Sequence, residues 1–410
     1  MRNKKFFNKK KVTAVVLAAL AAGALLLSGC VDQSGGKDKL QYSDTSAVSE
    51  ESAESGSDGA SDTKNGDASD TASDSTDASK DTKNESVESM LEISDPQEKA
   101  AVEAAKKKVK ALDGEPRIIA TSPATADICD KLDLDLVGVC NTSFTLPERY
   151  QDLTKVGTAM SPDMEIVSSL NPDWILGPSS LQSDLQPKYE AINTDWAFLN
   201  LRSVAGMYRS IQELGEIFDR QDEAQKLVKE FTDFYNNYKE KNKGKEQPKV
   251  MILMGLPGSY VIATENSYVG SLVEMAGGIN VYEGSDQEFM TVNTEDMKTK
   301  EPDIILCASH ALPDQVMEMF KEDFATNDIW QHFDAVKNGK VYYLTYDLFG
   351  MSATFKYPQA LEELQPILYP ESDADAQKAK ENSENAEKKA ENSNATEKNA
   401  ALQDEMDSQK

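Results

Sequence analysis

The chain has 410 residues and a formal charge of −28, from 71 acidic and 43 basic side chains, with only two histidines. No basic stripe is present to displace counterions from phosphates, which excludes nucleic acid as a main partner. No Gly-x-Ser-x-Gly, phosphate loop or His-Glu-x-x-His occurs, so an enzyme is not expected.

The first element is a leader. Arg2, Lys4, Lys5, Lys9, Lys10 and Lys11 precede an apolar run from Val12 to Leu27, which predicts a signal peptide over residues 1–29. The run is short for a membrane span. It ends in Leu27-Ser28-Gly29-Cys30, which resembles the lipobox of bacterial lipoproteins. The resemblance implies cleavage before Cys30, lipidation of Cys30, and an anchor on the extracytoplasmic face of a Gram-positive-type cell membrane. Two or more acyl chains anchor stably where one does not.

Residues 30–97 read as a disordered acidic tether. Residues 31–97 carry 17 acidic and 5 basic side chains, and up to residue 90 almost nothing is large and apolar. Such a segment cannot bury enough surface to offset its ordering entropy. Residues 98–114 read as a short helix. Glu98 and Glu103 come early, Lys106, Lys107, Lys108 and Lys110 late, and Gly114 follows as a stop, in keeping with the helix dipole.

Residues 115–219 read as a first α/β lobe. Strands are predicted at Arg117 to Thr121, Leu136 to Cys140, Trp174 to Leu176 and Trp196 to Leu199. Helices are predicted at Ala124 to Leu132, Met164 to Leu170 and Leu185 to Ile192. Alternation of strand and helix predicts a mainly parallel sheet. From Ser203 to Lys243 the pattern turns helical, and residues 220–244 read as one long inter-lobe helix, with Leu227, Phe231, Phe234 and Tyr238 on one face.

Residues 245–370 read as a second lobe, opening on the buried strand Lys249 to Met254. Tyr260 to Ala263 returns, Ser267 to Met275 is a helix, Val341 to Leu344 a strand, and Pro358 to Leu368 a last helix. Residues 371–410 contain an imperfect decad repeat, Glu381 to Ala390 and Glu391 to Ala400, without an apolar stripe, and read as a solvated low-complexity tail. The expected fold class is therefore α/β: two lobes with mainly parallel sheets flanked by helices, joined by one long helix. Besides Cys30, the cysteines are Cys129, Cys140 and Cys307. One bridge or three buried thiols both fit.

One pattern occurs in each lobe. Glu165 is followed after six residues by Pro172-Asp173-x-Ile175-Leu176, and Glu295 after six residues by Pro302-Asp303-x-Ile305-Leu306. Each copy reads as a helix led by a carboxylate, a turn and a buried strand. A bilobed protein usually holds a ligand between its lobes. His310 lies just beyond the second-copy strand, where open α/β sheets bind ligands. A metal-ion carrier would need several ligands converging on one ion, and only His310 is well placed. His332, between Gln331 and Phe333, reads as structural.

With a lipobox, a tether, two α/β lobes and a long linking helix, the chain resembles the substrate-binding lipoproteins of iron-type ABC importers. Within them it is similar to the haem-binding lipoproteins of the iron-regulated surface determinant systems. The similarity lies in Pro248 to Tyr260, Ala263-Thr264, Ser267-Tyr268, Ala276-Gly277-Gly278, Leu146 to Tyr150, Asn327 to Phe333 and Leu348-Phe349-Gly350. It covers about residues 117 to 370.

The resemblance implies a haem receptor that feeds an ABC permease, with haem as transported ligand and an upstream surface haem donor as a further partner. The expected state is a monomer. A ferric-siderophore or corrinoid carrier of the same fold is the alternative. The family's axial methionine lies in a Gly-x-x-Met-x-Pro stretch, here Gly157 to Pro162, which points to Met160. Its axial histidine follows the Pro-Asp-Ile-Ile-Leu strand, which points to His310. Met351 is a rival thioether, and Cys140 and Cys307 are within reach of a cleft. Ser122, Ala124 and Thr125 at a helix start are candidates for a propionate, as are Thr142, Ser143 and Thr145. The family carries Tyr-Lys where this chain has Phe144-Thr145. Phe144, Tyr260 and Phe349 are candidates to flank the porphyrin. Glu165 and Glu295 are the expected permease-docking carboxylates, one on each lobe.

Overall fold

The computed structural model describes residues 87–388. The expected signal peptide, Cys30, the tether up to residue 86 and the tail from residue 389 lie outside the described residues.

The first lobe is a four-stranded parallel sheet in the order β2-β1-β3-β4. Its strands are β1 (Ile118–Ala120), β2 (Leu136–Val139), β3 (Trp174–Pro178) and β4 (Asp195–Leu199), alternating with helices. In chain order the helices are α1 (Val87–Leu91), α2 (Pro96–Val109), α3 (Pro123–Lys131), α4 (Met164–Ser169) and α5 (Gln182–Ala191). Every residue of β1 and β3 is buried, as in a sheet covered on both faces. That is why these segments read as unbroken apolar runs.

Two helices follow, α6 (Val204–Phe218) and α7 (Gln221–Asn242). The helical stretch is not continuous. Asp219 takes a left-handed conformation (φ +58) and its amide caps α6 at Gly215 O, so the chain turns before α7 begins. The second lobe holds β5 (Lys249–Leu256), β6 (Ser259–Ala263), β7 (Ile279–Asn280), β8 (Phe289–Thr291), β9 (Ile304–Ser309) and β10 (Val341–Tyr343). Its helices are α8 (Tyr268–Ala276), α9 (Thr294–Lys298), α10 (Pro313–Thr326), α11 (Asp334–Lys337) and α12 (Tyr357–Leu368). The sheet order is β10-β9-β5-β6-β8, with β7 on β5; β6 pairs antiparallel with β5 and β8, and the other pairs are parallel. The fold class read from the sequence is the one found. The short β7 and β8 and the helices α10 and α11 were not legible in it.

The repeated motif has one structural meaning in both lobes. Asp173 accepts the Arg117 amide on its carboxylate (2.9 Å) and donates its own amide to Arg117 O (2.9 Å). Asp303 does the same with Lys249, at 2.7 and 2.8 Å. Each aspartate thus clips the strand that carries it onto the opening strand of its lobe, and sets the registers Ile118↔Trp174 and Val250↔Ile304. The helices that lead the motifs match as well. Asp163 caps α4 by accepting from Glu165 N and Ile166 N, and Asn293 caps α9 by accepting from Glu295 N and Asp296 N.

The lobes are fastened at the linker. Tyr208 of α6 stacks on Phe231 of α7 (4.5 Å, 13°), and Tyr357 of α12 meets Phe231 edge-on (5.6 Å, 83°). The Tyr208 and Tyr357 hydroxyls are 3.3 Å apart. Such aromatic contacts add to the stabilisation from burial alone.

Both ends of the body depart from expectation. The N-terminal helices start earlier than residue 98, and Val87 and Leu91 are buried against the first core. The tail is not wholly solvated: residues 373–388 are helical and bury Ala379 and Ala386. Cys129, Cys140 and Cys307 are three buried free thiols, which decides between the two readings of the cysteines.

The α2–α6 contact encloses two carboxyl groups. Glu98 and Glu213 are 4% and 2% exposed, and Arg209 Nη2 reaches Glu98 Oε2 at 2.7 Å. Burial, then the neighbouring Glu98, hold the Glu213 carboxyl far above the ordinary carboxylate range. A neutral Glu213 therefore stabilises the fold fully below pH 4.5, its ordinary value, and progressively less as pH rises through neutral. The melting temperature of Glu213→Gln relative to wild type should accordingly increase from pH 5 to pH 8. A pH-independent difference would mean that Glu213 ionises normally.

Candidate functional site

The site is built from loops that leave the C-terminal edges of the two sheets. In the first lobe, the segment after β2 returns alongside it. Val139 N donates to Thr154 O, Val156 N to Val139 O and Asn141 N to Gly157 O. Gly157 sits at φ +91, and a Cβ there would lie 2.8 Å from Ser161 O and Asp163 N. Only glycine fits, because the chain folds straight back on itself: Asp163 N donates to Val156 O at 2.7 Å, and Ser161 N closes a turn onto Thr158 O at 3.1 Å. Met160 stands in that turn and is 70% exposed.

In the second lobe, His310 follows β9. Its amide donates to Gly255 O (2.9 Å), extending the β9–β5 ladder by one residue. A side chain at Gly255 would collide with Val316 and Phe320 of α10, so the strand beneath His310 and the helix beyond it pack without room for a Cβ. Leu312, two residues on, is left-handed (φ +46). A bulky residue in that region carries strain, and such strain gathers at functional positions. The His310 imidazole is half-buried, and desolvation lowers its pKa below the usual 6.5. It is therefore neutral at neutral pH, the form that ligates a metal. Its Nδ1 is buried without a hydrogen-bond partner.

Several contacts join loops of the two lobes. Phe144, after β2, stacks on Tyr346, after β10 (5.8 Å, 29°). Arg202, after β4, pairs with Glu288 at 2.5 Å, and Ala353 N donates to Leu201 O at 2.8 Å. Asp127 of α3 is half-buried, with its carboxyl pushed up to about 6 by burial and opposed by Lys356 before α12. Among the described residues the exposed large hydrophobics are Phe144, Met160 and Met351, at 38%, 70% and 36%. All three were singled out from sequence, and each stands outside the helices and strands.

Other candidates are placed differently. Tyr260 turns away from the crevice: its ring packs on Phe320 (5.6 Å) and Trp330 (6.2 Å), and its hydroxyl donates to Asp323 at 2.9 Å. Phe349 is fully buried in the first core cluster. Ser122 and Thr125 are buried and bonded to each other: Ser122 Oγ accepts the Thr125 amide at 3.2 Å. That amide is spent on the cap, Ala124 is buried beside it, and the start of α3 offers an anion less than expected. Thr142, Ser143 and Thr145 remain on the rim, with Thr142 Oγ1 accepting from Phe144 N at 3.1 Å. Burial pushes the Cys140 thiol up to about 11, and Cys307 also well above its usual value, which disfavours a thiolate at either. His332 is exposed at the end of a 3-10 turn rather than packed in the core. Glu165 and Glu295 are exposed, and Glu295 pairs with Lys298 at 2.8 Å, which lowers its pKa. Tyr346, Arg202 and Glu288 were not singled out from sequence. The position of Tyr346 and Arg202 after C-terminal strand ends was the available signal for those two.

The periplasmic binding protein family profile matches residues 118–348. The high-affinity heme uptake system protein IsdE of Staphylococcus aureus (strain Newman) is 41% identical over 261 residues, 62% of this chain and 88% of that protein. An ABC transporter substrate-binding protein of Listeria monocytogenes EGD-e superposes with a TM-score of 0.60 at 46% identity, covering 63% of this chain and all of that one. Staphylococcus aureus IsdE complexed with heme gives a TM-score of 0.60 at 40% identity, over 62% of this chain and 100% of that one. The two clipped, mainly parallel sheets and the helix that links them belong to a member of the periplasmic binding protein family.

Proposed function

We propose that this chain is a membrane-anchored haem receptor that takes up haem on the extracytoplasmic face and delivers it to an ABC permease. The observation that carries the reading is the 41% identity to a heme uptake protein, supported by an exposed thioether on a first-lobe turn and a half-buried imidazole at a second-lobe strand end. Met160 and His310 are the axial ligands. Neither brings a charge, and together they fill both axial positions of the porphyrin iron, leaving none for oxygen. That suits cargo to be carried unchanged.

Phe144 and Met351 supply apolar surface to the porphyrin, and haem would cover both. Thr142, Ser143 and Thr145 offer hydroxyls to a propionate. Cys30 carries the lipid anchor. Glu165 and Glu295 grip the permease. They occupy equivalent positions, each the second residue of a capped helix that leads a motif copy. A complex that holds both lobes needs one such carboxylate on each.

Purified protein titrated with hemin should give a sharp Soret band and a six-coordinate low-spin resonance Raman signature. Met160→Ala should keep binding but weaken it. His310→Ala should lose most of it, by at least about the tenfold typical of lesser perturbations around metal ligands. A double variant with unchanged spectra and affinity would remove both assignments, and a chain that binds a siderophore complex or a corrinoid instead would replace the cargo. The variant Glu165→Ala with Glu295→Ala should bind hemin as wild type yet fail to support permease-driven uptake. Normal uptake by that variant would refute docking through these residues.

A further inference from the structure

The C-terminal helix, residues 373–388, lies on the open edge of the second sheet. β10 is the edge strand, paired only with β9. Leu344 N turns inward and donates to Cys307 O at 2.9 Å. Tyr343 N turns outward, and Ser383 Oγ accepts it at 2.8 Å. An edge amide is a group the fold must satisfy or cover, and here one hydroxyl does so.

The grip around this bond is narrow. Ala379, Ser383 and Ala386, at spacings of four and three, bring one face of the helix to the sheet and are buried. Lys321 of α10 pairs with Glu387 at 3.0 Å, both partly exposed, a pair of small worth. Alongside, a cavity of about 420 Å³ separates the helix from α12, lined by Thr345, Gln359, Glu363, Lys378 and Asn382. Small side chains and a wet flank make this a low-stability contact.

The strand so held leads straight to the crevice. Thr345 N is fixed by Glu363 at 3.0 Å, Tyr346 stacks on Phe144, and Met351 is exposed a few residues on. We propose that the helix 373–388 is a strap on the second sheet, with Ser383 a positioning residue that sets the loop Tyr346 to Met351 at the crevice mouth through β10. The ligand side of this proposal rests on the haem reading; the effect on the loop does not.

The test uses the full chain with Ser383→Ala and Ser383→Thr. Without ligand, hydrogen exchange of a peptide spanning residues 341–351 should quicken by about fivefold in Ser383→Ala, the loss of one hydrogen bond. It should recover in Ser383→Thr, which keeps the hydroxyl. With hemin bound, transfer to an excess of apo-globin should quicken by a similar factor in Ser383→Ala alone. Wild-type exchange in Ser383→Ala would overturn the strap. Faster exchange with unchanged hemin loss would overturn the positioning role. A wild-type chain that binds no hemin refutes the cargo and leaves exchange at residues 341–351 to decide the strap.

Discussion

Two lobes keep a fixed spacing only if the segments that join them are stiff. Here that constraint falls on α7 and the aromatic contacts among Tyr208, Phe231 and Tyr357. A 22-residue helix is roughly 33 Å long. It cannot bend at a point as an extended hinge can, since its residues share one hydrogen-bond ladder. Tyr357 then ties the last helix of the second lobe back to the linker. Such a joint resists a swing of whole lobes.

The loops that carry Met160 and His310 combine rigidity with exposure. Met160 is displayed on a turn that only Gly157 allows, with the chain pinned on both sides by backbone hydrogen bonds. His310 is an extra rung on a sheet ladder, above a helix packed against Gly255. Each side chain is free at its tip and fixed at its root. Preorganisation of this kind lowers the ordering entropy that binding must offset. Burial favours the neutral form of the His310 imidazole and of the Cys140 and Cys307 thiols.

Much of this was legible in the sequence. The two motif copies announced two similar lobes, and the buried runs at Ile118, Trp174, Val250 and Ile304 announced parallel strands, since strands covered on both faces carry no polar alternation. The exposed residues Phe144, Met160 and Met351 were singled out through the family resemblance, by their place beside its motifs. What escaped was short or nonlocal. β7 and β8 are two and three residues long, too brief for a period. Tyr260 and Phe349 look like rim aromatics by position, yet side-chain direction decides their role, and that depends on α10 and on the first core cluster.

The sequence by itself determined the class of fold and the linking helix, because these follow from periodicity, turn chemistry and spacing along the chain, while the loops that carry Met160 and His310 were marked by what the family resemblance implies. Only the tertiary structure decided which polar groups were already spent. It gave the Asp173 and Asp303 carboxylates to strand amides, and the Tyr343 amide to Ser383. A hydrogen bond across forty or more residues leaves no trace in local pattern, and burial is a property of what surrounds a residue, not of the residue.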